Sequence, residues 1–85
     1  MAVATMAAHD TDTFASVCRR EREARDWTQH EAAAAIGVNI RTYQRWERGE
    51  TIPRPAERRC VARAFGLSGW WLRQLCRTQN AVRMP

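Results

Sequence analysis

The chain has 85 residues, 14 of them basic and 9 acidic, for a formal net charge of +5 and a sequence pI near 10.4. That length supports one small domain with a modest core, not two, and the charge brings nucleic acid into consideration as a partner. No apolar run reaches spanning length, and the start lacks a basic stretch followed by a sustained apolar one. A soluble, cytoplasmic protein with no membrane partner is therefore expected.

Residues 1–11 carry no hydrophobic period and read as a flexible N-terminal arm. Asp12 or Thr13 can cap a first helix in which Phe14, Val17 and Cys18 make an apolar stripe, fading near Asp26. Thr28 and Glu31 have capping-box spacing and open a short second helix through Ile36, after which Gly37 can turn left-handed. Asn39 caps a third helix over residues 40 to about 48, ended by Gly49. A loop, E-T-I-P-R-P, leads to Pro55 in the first turn of a fourth helix carrying Cys60, Val61, Ala64 and Phe65 and closed by Gly66. Ser68 can cap a last helix with Trp70, Trp71, Leu72, Leu75 and Cys76, leaving residues 78–85 as a flexible tail. With no strand or hairpin signal, the fold class is all-α.

Several chemistries find no support in the residues. Cys18, Cys60 and Cys76 are far apart and sit among apolar neighbours, as buried thiols in a reducing cytosol do. His9 and His30 are too isolated to complete a metal site. No catalytic set is visible: there is no carboxylate pair, no nucleophile with a base, and no phosphate-cradling glycine loop, so neither an enzyme nor a cofactor is expected. Every basic residue is Arg and none is Lys. Arginine's planar fork suits phosphate and guanine edges, although a coding sequence rich in Arg codons explains the same bias.

The most informative stretch is G-V-N-I-R-T-Y-Q-R-W-E-R-G-E, residues 37–50. A turn this short forces the second and third helices to cross closely. Ala33 is small where the third helix approaches, Gly37 relieves the turn, and Val38 plugs the gap beneath it. With Ile36, Tyr43 and Trp46 directed to the core, Ile40, Arg41, Gln44, Arg45 and Arg48 form one contiguous stripe. That stripe is either a solvated helix face or a major-groove reader, with Arg suited to guanine, Gln to adenine and Ile to a thymine methyl.

The run T-Q-H-E-A-A-A-A-I-G-V-N-I-R-T-Y-Q-R-W-E-R-G resembles the phage-repressor (Cro/cI-type, xenobiotic-response-element) helix-turn-helix DNA-binding family. Thr28, Gln29, Ala33, Gly37, Val38, Thr42, Trp46, Glu47 and Gly49 match its pattern with unbroken spacing, and the likeness covers most of residues 14–67. Tyr43, Ile40 and Trp27 depart from the usual residue types, and the first two bear on packing and base preference.

The resemblance implies a five-helix lambda-repressor-like domain over residues 12–77. It assigns Asn39, Ile40, Arg41, Gln44 and Arg45 to base reading, and Thr28, Gln29, Thr42 and Arg48 to phosphates. By their place in the loop and the first turns of the fourth helix, Arg54, Arg58 and Arg59 extend that phosphate-binding footprint or are simply solvated. Arg22 and Glu47 match a pair that braces the first helix against the third, the alternative being a surface pair worth under about 1 kcal/mol. Relatives generally bind inverted-repeat operators in double-stranded DNA as two-fold dimers, so a homodimer through Trp70, Trp71, Leu72 and Leu75 is expected. The implied function is a small dimeric repressor, autoregulatory or not, of phage or mobile-element type, placing residues 39–48 in the major groove. The competing reading is an antitoxin-like or adaptor module that binds protein through the Trp70/Trp71 helix and the C-terminal tail.

Overall fold

A computed structural model describes residues 12–83, which form five helices and no strand: α1 (Phe14–Ala24), α2 (Gln29–Ile36), α3 (Ile40–Glu47), α4 (Pro55–Phe65) and α5 (Gly69–Arg83). The expected arm over residues 1–11, with His9 and Asp10, lies outside the described residues.

Local chemistry sets most of the boundaries. Thr13, rather than Asp12, caps α1: its hydroxyl accepts from the Ser16 N–H at 3.1 Å, and the Ser16 hydroxyl accepts from the Thr13 N–H at 2.9 Å. Asp12 instead pairs with Arg20 at 3.0 Å. At α2 the Thr28 hydroxyl accepts from the Glu31 N–H at 3.1 Å while the Glu31 carboxylate accepts from the Thr28 N–H at 2.7 Å. Two amides that the helix start would leave unpaired are satisfied in this way. Pro55 occupies the first position of α4, and Glu57 accepts from the Arg54 N–H at 2.8 Å. The Ser68 hydroxyl accepts from the Trp71 N–H at 3.2 Å at the start of α5.

Gly37 adopts φ +93°, and the amides of Gly37 and Val38 both reach the Ala33 carbonyl, at 2.8 and 3.0 Å. A Cβ at residue 37 would meet no atom within 4 Å, so the backbone conformation alone demands glycine. Gly37→Ala is expected to cost about 1–2 kcal/mol, and Gly37→Asn less, because Asn tolerates left-handed geometry. An unchanged urea midpoint for Gly37→Ala would contradict that account.

The helices share one core. α1 and α2 both pack on α3, α4 packs on α2, and α5 closes over α1 and α4. Phe14, Tyr43, Trp46, Val61, Phe65 and Leu72 are its largest sealed side chains, with Phe14 meeting Trp46 edge-on at 5.5 Å between centroids. No helix among the described residues is long and apolar enough to cross a membrane.

Two expectations about the last helix are corrected. α5 continues to Arg83, past residue 77 where a tail was expected to begin. The run T-Q-N-A-V-R holds neither Gly nor Pro to stop it. Of the four residues expected at a dimer patch, Leu72 is not at the surface. Leu72 is 0% exposed, Trp71 and Leu75 pack against the core, and Trp70 alone stands out at 66%. Residues 71, 72, 75 and 76 recur at i, i+1, i+4 and i+5, which is one helix face; Trp70 lies a step outside it.

Candidate nucleic-acid interface

The orientation of α3 is set by what it buries. Tyr43, Trp46 and Glu47 face inward, and Glu47, only 4% exposed, is the one buried charged residue among those described. Its carboxylate accepts from Arg22 Nε at 2.6 Å and Arg22 Nη2 at 3.2 Å, a forked pair joining α1 to α3. The Tyr43 hydroxyl donates to the same carboxylate, and Gln29 Nε2 donates to it at 3.1 Å. Burial pushes the Glu47 carboxyl upward, but the hydrogen bonds from Arg22, Tyr43 and Gln29 outweigh it and hold the group below its ordinary 4.5. Burial, reinforced by that same bond, drives the Tyr43 phenol well above its usual range, so it stays a donor.

Gln29 extends this network to the outer surface. Because a carboxylate can only accept, the Gln29 NH2 must face Glu47, which leaves Oε1 toward Gln44. Gln44 Nε2 donates to that oxygen at 3.3 Å. Gln44 is thereby fixed at the edge of the exposed face with its own Oε1 and one N–H unused. Gln29, assigned to phosphate by the resemblance, is half-buried and spends its amide on this relay, keeping one N–H.

Arg41 and Arg45 are exposed and, among the described residues, their guanidinium groups make no hydrogen bond or ion pair. They lie at i and i+4 on the side opposite Tyr43 and Trp46, so they project together. Asn39 is exposed but its Oδ1 accepts from the Arg41 N–H at 2.8 Å, leaving its NH2 to face outward. Ile40 is corrected from the outward stripe: it is half-buried against the core. It stands three residues before Tyr43 and seven before Glu47, on the inward face, and at the helix start its side chain leans back over the turn.

The residues expected at phosphates flank this face. Thr28 is exposed at the start of α2, where free amides and the helix dipole favour an anion. Thr42 is half-buried, Arg54 exposed, and Arg48 exposed but paired with Glu50 at 2.8 Å. Screening by water makes that pair weak, so Arg48 can exchange it for a phosphate.

Two arginines escaped the sequence reading. Arg19 Nη2 donates to the Glu47 carbonyl at 3.0 Å, stoppering the C-terminal end of α3. Arg25 lies over the rings of Trp27 and Phe65, at 5.6 and 5.4 Å from their centroids, and donates to the Phe65 carbonyl at 2.9 Å, tying α1 to α4. Arg25 also pairs with Glu21 at 2.9 Å, an i,i+4 spacing visible in the sequence, but the contacts of both arginines with other helices are to distant residues that no local pattern marks. No group of His, Cys, Asp and Glu among the described residues could hold a metal ion.

A family model described as helix-turn-helix matches residues 19–69. Among curated proteins, the Type II methyltransferase M.SsoII of Shigella sonnei is 44% identical over 54 residues, covering 60% of this chain and 14% of that protein. The chain thus matches only a small part of that relative's length. No solved structure matches the chain significantly.

Proposed function

Because the chain belongs to the helix-turn-helix family of Cro/cI type, we propose that it is a sequence-specific DNA-binding regulator that lays α3 in a major groove. The reading rests chiefly on Arg41 and Arg45, exposed and with guanidinium groups that have no hydrogen-bond or ion-pair partner among the described residues, on a helix clamped from behind by Tyr43, Trp46 and Glu47. Gln44, oriented through Gln29, adds an amide suited to adenine, while Thr28, Thr42, Arg48 and Arg54 surround the face with phosphate donors. Ile40, half-buried against the core, offers less of its side chain to a groove than the exposed arginines do.

The simplest regulator of this kind is a cytoplasmic repressor that occludes a promoter, its own included. The methyltransferase likeness brings no activity with it, since the aligned stretch is 14% of that enzyme. One reading helix contacts few base pairs, so two copies on an inverted repeat are needed to single out a site. A protein–duplex complex whose scattering mass corresponds to one copy would overturn the two-copy arrangement.

The test of the central reading is anisotropy of a labelled duplex taken from upstream of the gene, against a random duplex, over a range of salt. Specific binding with a steeply negative log–log salt slope is expected, because each neutralised phosphate releases counterions. A slope near zero would remove DNA as the partner. Equal affinity for both duplexes would reduce the role to non-specific binding.

A further inference from the structure

The positive charge of the chain is not concentrated on the reading helix. Up to Glu57 the sequence holds eight arginines against nine acidic residues; after it come six arginines and no acidic residue at all. Most of that later segment is α4 and α5, which lie side by side. Arg58 and Arg59 from α4 and Trp70 and Arg73 from α5 line one concavity between them, and Arg58, Arg73 and Arg77 line the adjoining one. Among the described residues none of these four arginine side chains makes a hydrogen bond or an ion pair. Trp70 is the one large apolar side chain of the described residues left exposed. An exposed indole sharing its concavity with unpaired guanidinium groups has no structural task in this core.

We propose that the groove between α4 and α5 docks an acidic segment of a partner protein, with Trp70 as the apolar anchor. Three occupants compete for such a surface, and the observations separate them. A second copy would set four unpaired arginines against four more, which opposes self-association. Duplex DNA bound to α3 is poorly placed to reach it: α5 packs mainly on α1 and α4, while α3 packs on α1 and α2. On α4, Ala56, Glu57 and Cys60 are the residues beside the start of α3, whereas Arg58 and Arg59 face the groove on another side. An acidic chain carrying an aliphatic or aromatic side chain satisfies both halves of the site, carboxylates meeting the forks and the apolar group covering the indole. Trp and Arg are also the residue types that most often carry the binding energy of protein interfaces.

This inference stands apart from the DNA reading and can fail independently of it. The probe is a short fluorescein-labelled peptide of alternating Glu and Leu, compared with the same peptide bearing Lys in place of Glu, at low salt. The Glu peptide is expected to bind and the Lys peptide not to. The double variant Arg73→Glu/Arg77→Glu should weaken it about tenfold or more, and Trp70→Ala severalfold. All three side chains are exposed, so unchanged thermal melts will verify folding. Affinity for the upstream duplex should stay within about twofold of the parent protein, since none of the three lies on the α3 face. Equal binding of both peptides, or of neither, would overturn the proposal. So would a parallel tenfold loss of duplex affinity in Arg73→Glu/Arg77→Glu, which would give the face to DNA. A dimer in sedimentation that Trp70→Ala splits would give it to a second copy.

Discussion

Replacing Glu47 with alanine is expected to lower the unfolding free energy by roughly 3–5 kcal/mol, because it strands a partly buried guanidinium and two further donors at once. Arg22 Nε and Nη2, the Tyr43 hydroxyl and the Gln29 amide all converge on this carboxylate. The Arg22 side chain keeps 17% exposure and Nη1 still reaches the Trp27 carbonyl at 3.0 Å, which favours the lower end of that range. For a domain this small the total stability is only about 4–13 kcal/mol, so the variant sits near its unfolding threshold. Glu47→Gln should cost less than Glu47→Ala, since one acceptor oxygen remains, but its NH2 then faces donors. The double variant Arg22→Met/Glu47→Leu should recover most of the loss, because removing both charges also removes the desolvation of both. Urea titrations of the four proteins decide the matter. If Glu47→Ala and the double variant were equally damaged, packing and not the charge pair would hold α1 to α3.

The same carboxylate gives stability a pH dependence whose sign is fixed. Its folded value lies below the ordinary 4.5, so the folded state favours the charged form. The contribution is complete above about pH 4.5 and is lost as the pH falls through the folded value. The parent protein should therefore weaken in mild acid more steeply than Glu47→Gln does. Matching acid profiles for the two would assign the weakening to other carboxylates.

The parts of this fold that could be read from sequence are those whose cause is local. Thr28 with Glu31, Asn39 before Ile40, and Gly37 at the turn each act within four residues, and helix geometry fixes what they do. Ile40 and Leu72 were misplaced for a different reason, since a stripe can be drawn through neighbouring residues in more than one way. Counting Ile40 with Tyr43 and Glu47, and Leu72 with Trp71, Leu75 and Cys76, puts both inside. Only the buried partners show which stripe is the inward one. The relay from Glu47 through Gln29 to Gln44 joins positions 15 and 18 residues apart. It depends on how closely the two helices cross, which no single residue encodes. The bonds of Arg19 and Arg25 to the distant carbonyls of Glu47 and Phe65 leave no mark on the sequence.

The largest effect on binding without loss of folding is expected from Arg41→Ala/Arg45→Ala. Each arginine in base contact is worth about 1–3 kcal/mol, and residues one helical turn apart can couple, so the pair should cost roughly 2–5 kcal/mol at the preferred site. That corresponds to a roughly thirty- to several-thousand-fold weaker complex. On random duplex the loss should be much smaller and the salt slope shallower by at most about 2, since only two charges have gone. Parallel losses on both duplexes would make the two residues phosphate contacts and move specificity to Gln44 and Asn39. Because neither arginine side chain makes an intramolecular bond among the described residues, the melting temperature should hold. Glu47→Ala should do the reverse: it removes no group that faces the groove, yet it releases Gln29 and with it the restraint on Gln44. Comparing the two variants at a temperature where both are folded separates the side chains that read from the one that holds them in place.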